Sequence, residues 1–333
     1  MQNIGVVVIG RNEGDRLRQC LMSVVDRVDY IVYVDSGSTD GSVAMAKSLG
    51  VEAVELDLSI PFTAARARNE GFNYLLKINH QLEFVQFVDG DCEVVAGWLE
   101  KAYKEISRHS DWAVVCGRRR ERFCDRSIYN LLCDIEWNTP VGEAKACGGD
   151  AMMRVEAFQQ VAGFNSSLIA GEESELCLRL RREGWKVSRI DAEMTLHDAQ
   201  MTRFSQWWKR SLRSGHAYAE GAWLYGKALE RHRVKETKSI WLWGAIVPSI
   251  VISLLLPTKG WSLILLLSYP PLIYKIYRYF LQNRGFNSKN AFLYAVNCIF
   301  IKFPQVQGQI QFYINKLFKQ RVDIIEYKHS KIS

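Results

Sequence analysis

The chain has 333 residues, 48% hydrophobic and 24% charged, with a formal net charge of +7; this excludes a disordered or fibrous protein and suffices for one large or two ordinary domains. The charge is uneven, with 27 Lys and Arg against 32 Asp and Glu in residues 1–226, and 16 against 4 in residues 227–333. A mildly acidic front and a basic, apolar back suggest a soluble domain joined to a membrane-facing segment. The basic residues flank apolar runs instead of forming a polar stripe, which argues against a nucleic-acid partner.

In chain order, Ile4 to Ile9 reads as a buried strand, Glu13 to Val25 as a helix, Tyr30 to Val34 as a strand and Ser42 to Leu49 as a helix. Val51 to Leu56 is a strand, Thr63 to Ile78 a helix and Phe84 to Val88 a strand. Short apolar runs alternating with helices predict βαβ units and a parallel sheet, whose ligands bind beyond the carboxyl ends of the strands. From about residue 112 to 200 the pattern is less regular: a strand at Trp112 to Cys116, a basic run Arg118-Arg119-Arg120, and a helix from Glu173 to Glu183.

Two long apolar stretches follow, Ile240 to Leu256 and Trp261 to about Phe280, joined by the tight turn Pro257-Thr258-Lys259-Gly260. They predict a transmembrane hairpin over about 240–280, or else a buried helical hairpin. Lys235, Lys238, Lys275, Arg278, Arg284 and Lys289 flank it on one side, which the positive-inside tendency makes cytoplasmic. A third apolar run, Ala291 to Phe303, suggests an interfacial helix over about 290–318. The predicted division is therefore 1–226 and 227–333. The eight cysteines form no Cys-x-x-Cys pair, and several lie in apolar stretches, which favours the cytosolic side of a membrane. No signal-peptide pattern precedes the first strand.

Three predicted strand ends carry polar clusters: Arg11-Asn12-Glu13, Asp35-Ser36-Gly37-Ser38 and Asp89-Gly90-Asp91. The last places two carboxylates two residues apart, a compact oxygen site for a hard divalent cation that phosphate or water would complete. Turn chemistry alone can also produce such a tripeptide. Asp35 stands where it could accept from a pyrimidine N–H. Arg66 and Arg68 point in different directions on their helix, so one of them is placed for phosphate and the other for the surface or for packing.

In this order, the strand followed by Arg11-Asn12-Glu13, then Val34 to Gly41, Ala67-Arg68-Asn69-x-Gly71 and Asp89-Gly90-Asp91 resemble the family 2 glycosyltransferases, over roughly residues 3–200. The resemblance implies an α/β GT-A fold: a Rossmann-like, mixed but mostly parallel sheet, here followed by membrane-associated C-terminal helices. It implies an inverting enzyme with a nucleotide-sugar donor, Mg2+ or Mn2+, and a glycan or lipid-linked acceptor. Arg11, Asn12, Glu13, Asp35, Ser36, Arg68, Asp89, Gly90 and Asp91 would bind the donor, with Asp89 and Asp91 on the metal. Cys147-Gly148-Gly149-Asp150 resembles the acceptor-side segment, so Gly148, Gly149 and Asp150 would face the acceptor, with Trp137 as a sugar platform. Gly171 to Arg181 resembles the Glu-Asp-x-Asp-Leu-x-x-Arg stretch, whose second acid is usually the catalytic base. The matching residue is Glu173, one C–C bond longer than Asp, and Glu172 beside it is the other candidate. His197 would be a third metal ligand, with Asp198 as its partner. Arg118 to Arg120 suit an acceptor phosphate or a solvated basic loop.

The Gln-x-x-Arg-Trp motif of processive synthases is absent as such, and Gln206-Trp207-Trp208-Lys209-Arg210 is a loose echo. A nicotinamide dehydrogenase would need Gly-x-Gly-x-x-Gly where this chain has Gly10-Arg11-Asn12-Glu13-Gly14. A sugar nucleotidyltransferase would need a glycine-rich loop with lysine after the first strand. The remaining alternatives are a polyprenyl-phosphate sugar transferase and a non-catalytic membrane scaffold with a nucleotide-binding domain. The expected location is the inner membrane, with the catalytic domain facing the cytoplasm.

Overall fold

The apolar runs of the first ninety residues become adjacent strands: β1 (Ile4–Gly10), β2 (Tyr30–Asp35), β3 (Glu52–Glu55) and β4 (Phe84–Asp89). In the computed structural model, which describes residues 3–319, they lie in the order β3-β2-β1-β4 and all run parallel. β1 and β4 are buried along almost their whole length, as strands covered on both faces must be. The crossovers are α1 (Asp15–Met22), α2 (Ser42–Ser48) and α3 (Ala64–Ile78). Thr63 caps α3, its hydroxyl accepting from Arg66 N at 3.0 Å. A Cβ at Gly71 would come within 2.5 Å of Val7 Cγ1, so glycine there lets α3 close on the sheet.

Beyond β4 the sheet becomes mixed. β6 (Trp112–Glu121) and β8 (Ala151–Arg154) are antiparallel, and β8 is also antiparallel to β4. β9 (Lys186–His197) runs parallel to β6 and pairs antiparallel with both β5 (Cys92–Val94) and β7 (Gly142–Glu143). The remaining helices are α4 (Trp98–Arg108), α5 (Ile128–Trp137), α6 (Val155–Gln160) and α7 (Glu172–Arg182). Phe84, Phe87, Trp98 and Phe158 anchor the core, and the buried Trp98 Nε1 donates to Gln86 Oε1 at 2.9 Å. β6 runs five residues past the predicted strand and takes in Arg118 to Arg120; irregular register against β9 accommodates them.

Two compact units divide after Gln200, earlier than the 226/227 boundary the sequence suggests. The 22-residue helix α8 (Phe204–Tyr225) accordingly belongs to the second unit. Within that unit α8 packs on α13 (Lys302–Leu317) through glycines; a Cβ on Gly308 would stand 2.0 Å from Leu212 O. Helix α9 (Val234–Trp241) continues through a wider turn, Leu242–Ile246, into α10 (Val247–Leu254). By length and composition this 21-residue run, Val234–Leu254, is the one helix among the described residues apolar enough to cross a membrane. The second arm of the expected hairpin winds tightly at Trp261–Ser268 before Pro270 and Pro271 open α11 (Tyr269–Gln282). Two helices, α12 (Ser288–Phe300) and α13, occupy the stretch read as one interfacial helix.

Candidate active site

Register sets the site. Gly10 pairs with Asp35 on one side of β1, and Ile9 pairs with Asp89 on the other. Two strand spacings separate the acids, about 10 Å, at the carboxyl edge where such sheets bind ligands. The loops above are stitched together. Asn12, at φ 55°, donates its N–H to Ser38 Oγ at 2.9 Å and accepts from Thr39 N at 2.7 Å. Gly14 N donates to Asp40 Oδ2 at 3.0 Å. The buried Asp35 carboxylate accepts from Gly37 N, Ser38 N and Tyr33 Oη at 2.7–2.9 Å, and Ser36 N donates to Gly10 O. Arg11 lies over Phe62, and Glu13 is ion-paired with Arg16 at 2.6 Å.

Arg68 is the hub of the second cluster. Its side chain is 2% exposed and reaches Asp89 Oδ1 at 2.7 Å, Glu172 Oε1 at 2.8 Å and Glu173 Oε1 at 3.7 Å. Arg66 instead serves the surface, donating to Asp57 O and Ile60 O. Arg119 bridges Asp89 Oδ2 at 3.2 Å and Asp150 Oδ2 at 2.8 Å. Asp150 is fully buried; it accepts from Asp89 N at 2.9 Å and Thr195 Oγ1 at 2.7 Å, so it braces Asp89 from behind. Gly149 leaves room for these pairs, since a Cβ there would meet Arg68 Nη2 at 2.5 Å and Asp89 Oδ2 at 2.7 Å. Gly148 is exposed beside them. Gly90 N donates to Ile9 O at 2.8 Å, and a side chain at position 90 would crowd that same oxygen.

Asp91 lies beside His197, with Oδ2 3.3 Å from Nε2. Asp91, Cys92 and His197 bring donor atoms within 4.8 Å of one another, as do Asp89, Cys92 and Asp150. Burial pushes the Cys92 thiol well above its ordinary range, which keeps it protonated and leaves carboxylate and imidazole as the donors, a set that fits Mg2+ or Mn2+. Trp137 meets His197 edge to face at 4.7 Å and lies under the Arg119 guanidinium at 5.6 Å. Asp198 does not face His197: its carboxylate is 3.9 Å from Arg126 and accepts from Gln200. Glu121 Oε2 takes that place, 3.6 Å from His197 Nδ1.

The two candidate bases sit in the first turn of α7, after Gly171 at φ 79°. Glu172 is buried against Arg68, whereas Glu173 is partly exposed. The Glu173 carboxyl is pushed up to about 7, first by burial and then by Glu172, with Arg68 pulling the other way. That value suits proton abstraction near neutral pH. Arg118 and Arg120 lie against Asp134 at 3.5 Å and Glu193 at 3.9 Å, so all three arginines of the basic run face carboxylates.

Sequence reading offered Arg119 for an acceptor phosphate or a solvated loop, whereas it bridges Asp89 and Asp150, and it missed Glu121 and Thr195. Strand alternation was the available signal for Arg119, because neighbours along a strand point to opposite faces. It also missed Asn69, whose side chain clamps the loop after α6 through Phe164 N, Phe164 O and Ser166 Oγ.

Residues 5–161 match the family described as glycosyl transferase family 2, and residues 133–204 match one described as the N-terminal domain of galactosyltransferase. Two curated relatives match over short stretches. A TPR repeat-containing protein of Synechococcus elongatus is 36% identical over 66 residues, 20% of this chain, and an uncharacterized glycosyltransferase of Rickettsia felis is 39% identical over 54 residues, 16% of this chain. The chain spans 16% and 19% of the lengths of those relatives. A mannosyltransferase from Pyrobaculum calidifontis, solved with GDP-mannose and Mn2+, superposes with a TM-score of 0.60 at 16% identity, over 94% of this chain and 88% of that one. The mixed, mostly parallel GT-A architecture is shared with it.

Proposed function

We propose that this chain, whose residues 5–161 form a glycosyl transferase family 2 domain, is an inverting enzyme moving a sugar from a nucleoside-diphosphate donor, a UDP- or GDP-sugar, to an acceptor hydroxyl. The structural neighbour with GDP-mannose supports that donor class. The observation that carries the reading is the sharing of one guanidinium, Arg68, by Asp89 of the cation-binding tripeptide and by the Glu172–Glu173 pair. Donor end and base are thereby held in one frame.

In this mechanism Asn12, Asp35 and Ser36 line the nucleotide side of the crevice, and Asp89, Asp91 and His197 would hold Mg2+ or Mn2+. The bound cation supplies positive charge to the departing diphosphate. Arg68 and Arg119 fix the Asp89 carboxylate and add fixed positive charge nearby. Glu173 takes the proton from the acceptor oxygen as that oxygen attacks the anomeric carbon on the face opposite the diphosphate, which inverts the configuration. Glu172, tied to Arg68, positions its neighbour. Trp137 offers a face for the acceptor sugar.

The apolar helix Val234–Leu254, only 17% buried over its most apolar window, supports a lipid-linked acceptor. It also favours the second reading, transfer to a polyprenyl phosphate. We place the chain at the inner membrane, the catalytic unit facing the cytoplasm, in cell-envelope glycan or glycolipid synthesis. The test is release of nucleoside diphosphate from a panel of UDP- and GDP-sugars, with and without Mn2+. Metal-dependent release by the wild type and its loss in Asp91→Asn, with the circular dichroism spectrum intact, is the expected result. Full activity in Asp91→Asn overturns the metal assignment, and no release from any donor leaves the scaffold reading.

A further inference from the structure

His197 occupies a row of three strands. Its register partner on β5 is Cys92, next to Asp91, and its partner on β6 is Glu121. Backbone bonds hold it there: Arg122 N donates to His197 O at 2.8 Å, and Asp198 N donates to Asp91 O at 3.1 Å. The ring therefore spans two carboxylates, with Nε2 3.3 Å from Asp91 Oδ2 and Nδ1 3.6 Å from Glu121 Oε2. His197 is 5% exposed, and its Nδ1 makes no hydrogen bond.

Glu121 is an unusual residue for a strand end. Its side chain is fully shielded from solvent. Three N–H groups anchor it: Oε1 accepts from Phe123 N and Asn130 Nδ2, each at 3.1 Å, and Oε2 accepts from Ala199 N at 3.0 Å. These donors come from three separate segments around His197, so the carboxylate cannot swing away. Oε2 retains capacity for a second donor, and His197 Nδ1 is the ring nitrogen that faces it.

We propose that Glu121 is a positioning residue that holds the His197 proton on Nδ1, so that the Nε2 lone pair faces the cation site beside Asp91. The alternative tautomer would put a hydrogen between Nε2 and Asp91, where a cation must sit. A carboxylate behind a metal-binding imidazole fixes both its tautomer and its ring orientation. The inference rests on the metal reading above and adds to it a residue that touches neither donor nor cation.

The test uses the full chain with 15N-labelled histidine. Ring-nitrogen NMR of the metal-free protein, with the His197 signals assigned by their loss in His197→Gln, reports the tautomer directly. The expected wild-type spectrum shows protonated Nδ1 and bare Nε2, and a protonated Nε2 overturns the proposal whatever Glu121→Ala does. Mn2+ affinity, read from the electron paramagnetic resonance of free Mn2+, should fall about 10- to 100-fold in Glu121→Ala. If His197→Gln weakens Mn2+ and Glu121→Ala does not, Glu121 has no positioning role and the metal reading stands. If His197→Gln binds Mn2+ as tightly as the wild type, the failure lies in the ligand assignment itself.

Discussion

The two compact units are held together differently at their centres. In residues 1–200 two inward-facing arginines are matched by acids: Arg68 meets Asp89, Glu172 and Glu173, and Arg119 meets Asp89 and Asp150. In the second unit, His216 on α8 and Gln309 on α13 are 1% and 0% exposed, yet their side-chain nitrogens and oxygens make no hydrogen bond. Burial pushes His216 down to about 4 and Glu220, 3.7 Å away, up to about 7. The same unit exposes Ile252, Leu256, Trp261 and Leu267. The first unit sets charged pairs at its centre, whereas the second is assembled by close helix packing and turns apolar surface outward. That surface supports the membrane reading.

Arg68→Ala should break this contrast most severely. It strands Glu172 and Glu173 and leaves Asp89 with Arg119 alone, at a cost of about 3–5 kcal/mol, which lowers the melting temperature by on the order of 10 °C. Nucleoside-diphosphate release should vanish as well. A variant that melts with the wild type shows that the acids do not depend on the guanidinium.

Glu173→Gln separates chemistry from stability. The rate of transfer should fall about 10²- to 10⁴-fold, and in the wild type kcat/KM should rise with pH through an inflection near 7, because the ionised form is the base. For stability the sign is reversed. A carboxyl raised in the fold prefers its proton there, so its contribution is complete below the ordinary glutamate range and is lost as pH rises through about 7. Thermal melts should therefore show Glu173→Gln as stable as the wild type at pH 5 and more stable at pH 8. A variant less stable at pH 8 contradicts the assigned shift.

His216→Leu carries the smallest expected effect. Replacing a ring that makes no hydrogen bond by an apolar group of similar volume should change stability by less than about 1 kcal/mol or raise it. A loss comparable to that of Arg68→Ala would mean that His216 has a partner as firm as any in the first unit.

Much of the first unit was legible in the sequence because its strands are continuous apolar runs. Ile4 to Ile9 and Phe84 to Val88 have no competing interpretation, and α3 ends at Ile78 as its spacing predicts. The polar clusters at their ends were legible for the same reason. The antiparallel half was harder to read. Periodicity cannot show that β8 lies between β4 and β6, and three consecutive arginines mask the continuation of β6. The roles of Arg119 and Glu121 could not be read because they come from partners 30 and 76 positions away, Asp89 and His197, which only register brings together. In the second unit apolar length foretold helices, but not that Pro270 and Pro271 would divide the second arm.

The bond from Asp89 N to Asp150 Oδ1 joins residues 61 positions apart. At a synthesis rate of about 5–20 residues per second, roughly 3–12 s pass between the making of the first residue and the second. Until then a nascent chain has the parallel strands but no brace behind its acidic tripeptide. The pocket is thus a late product of translation, closed by a segment that arrives after the crevice at the strand ends already has its walls.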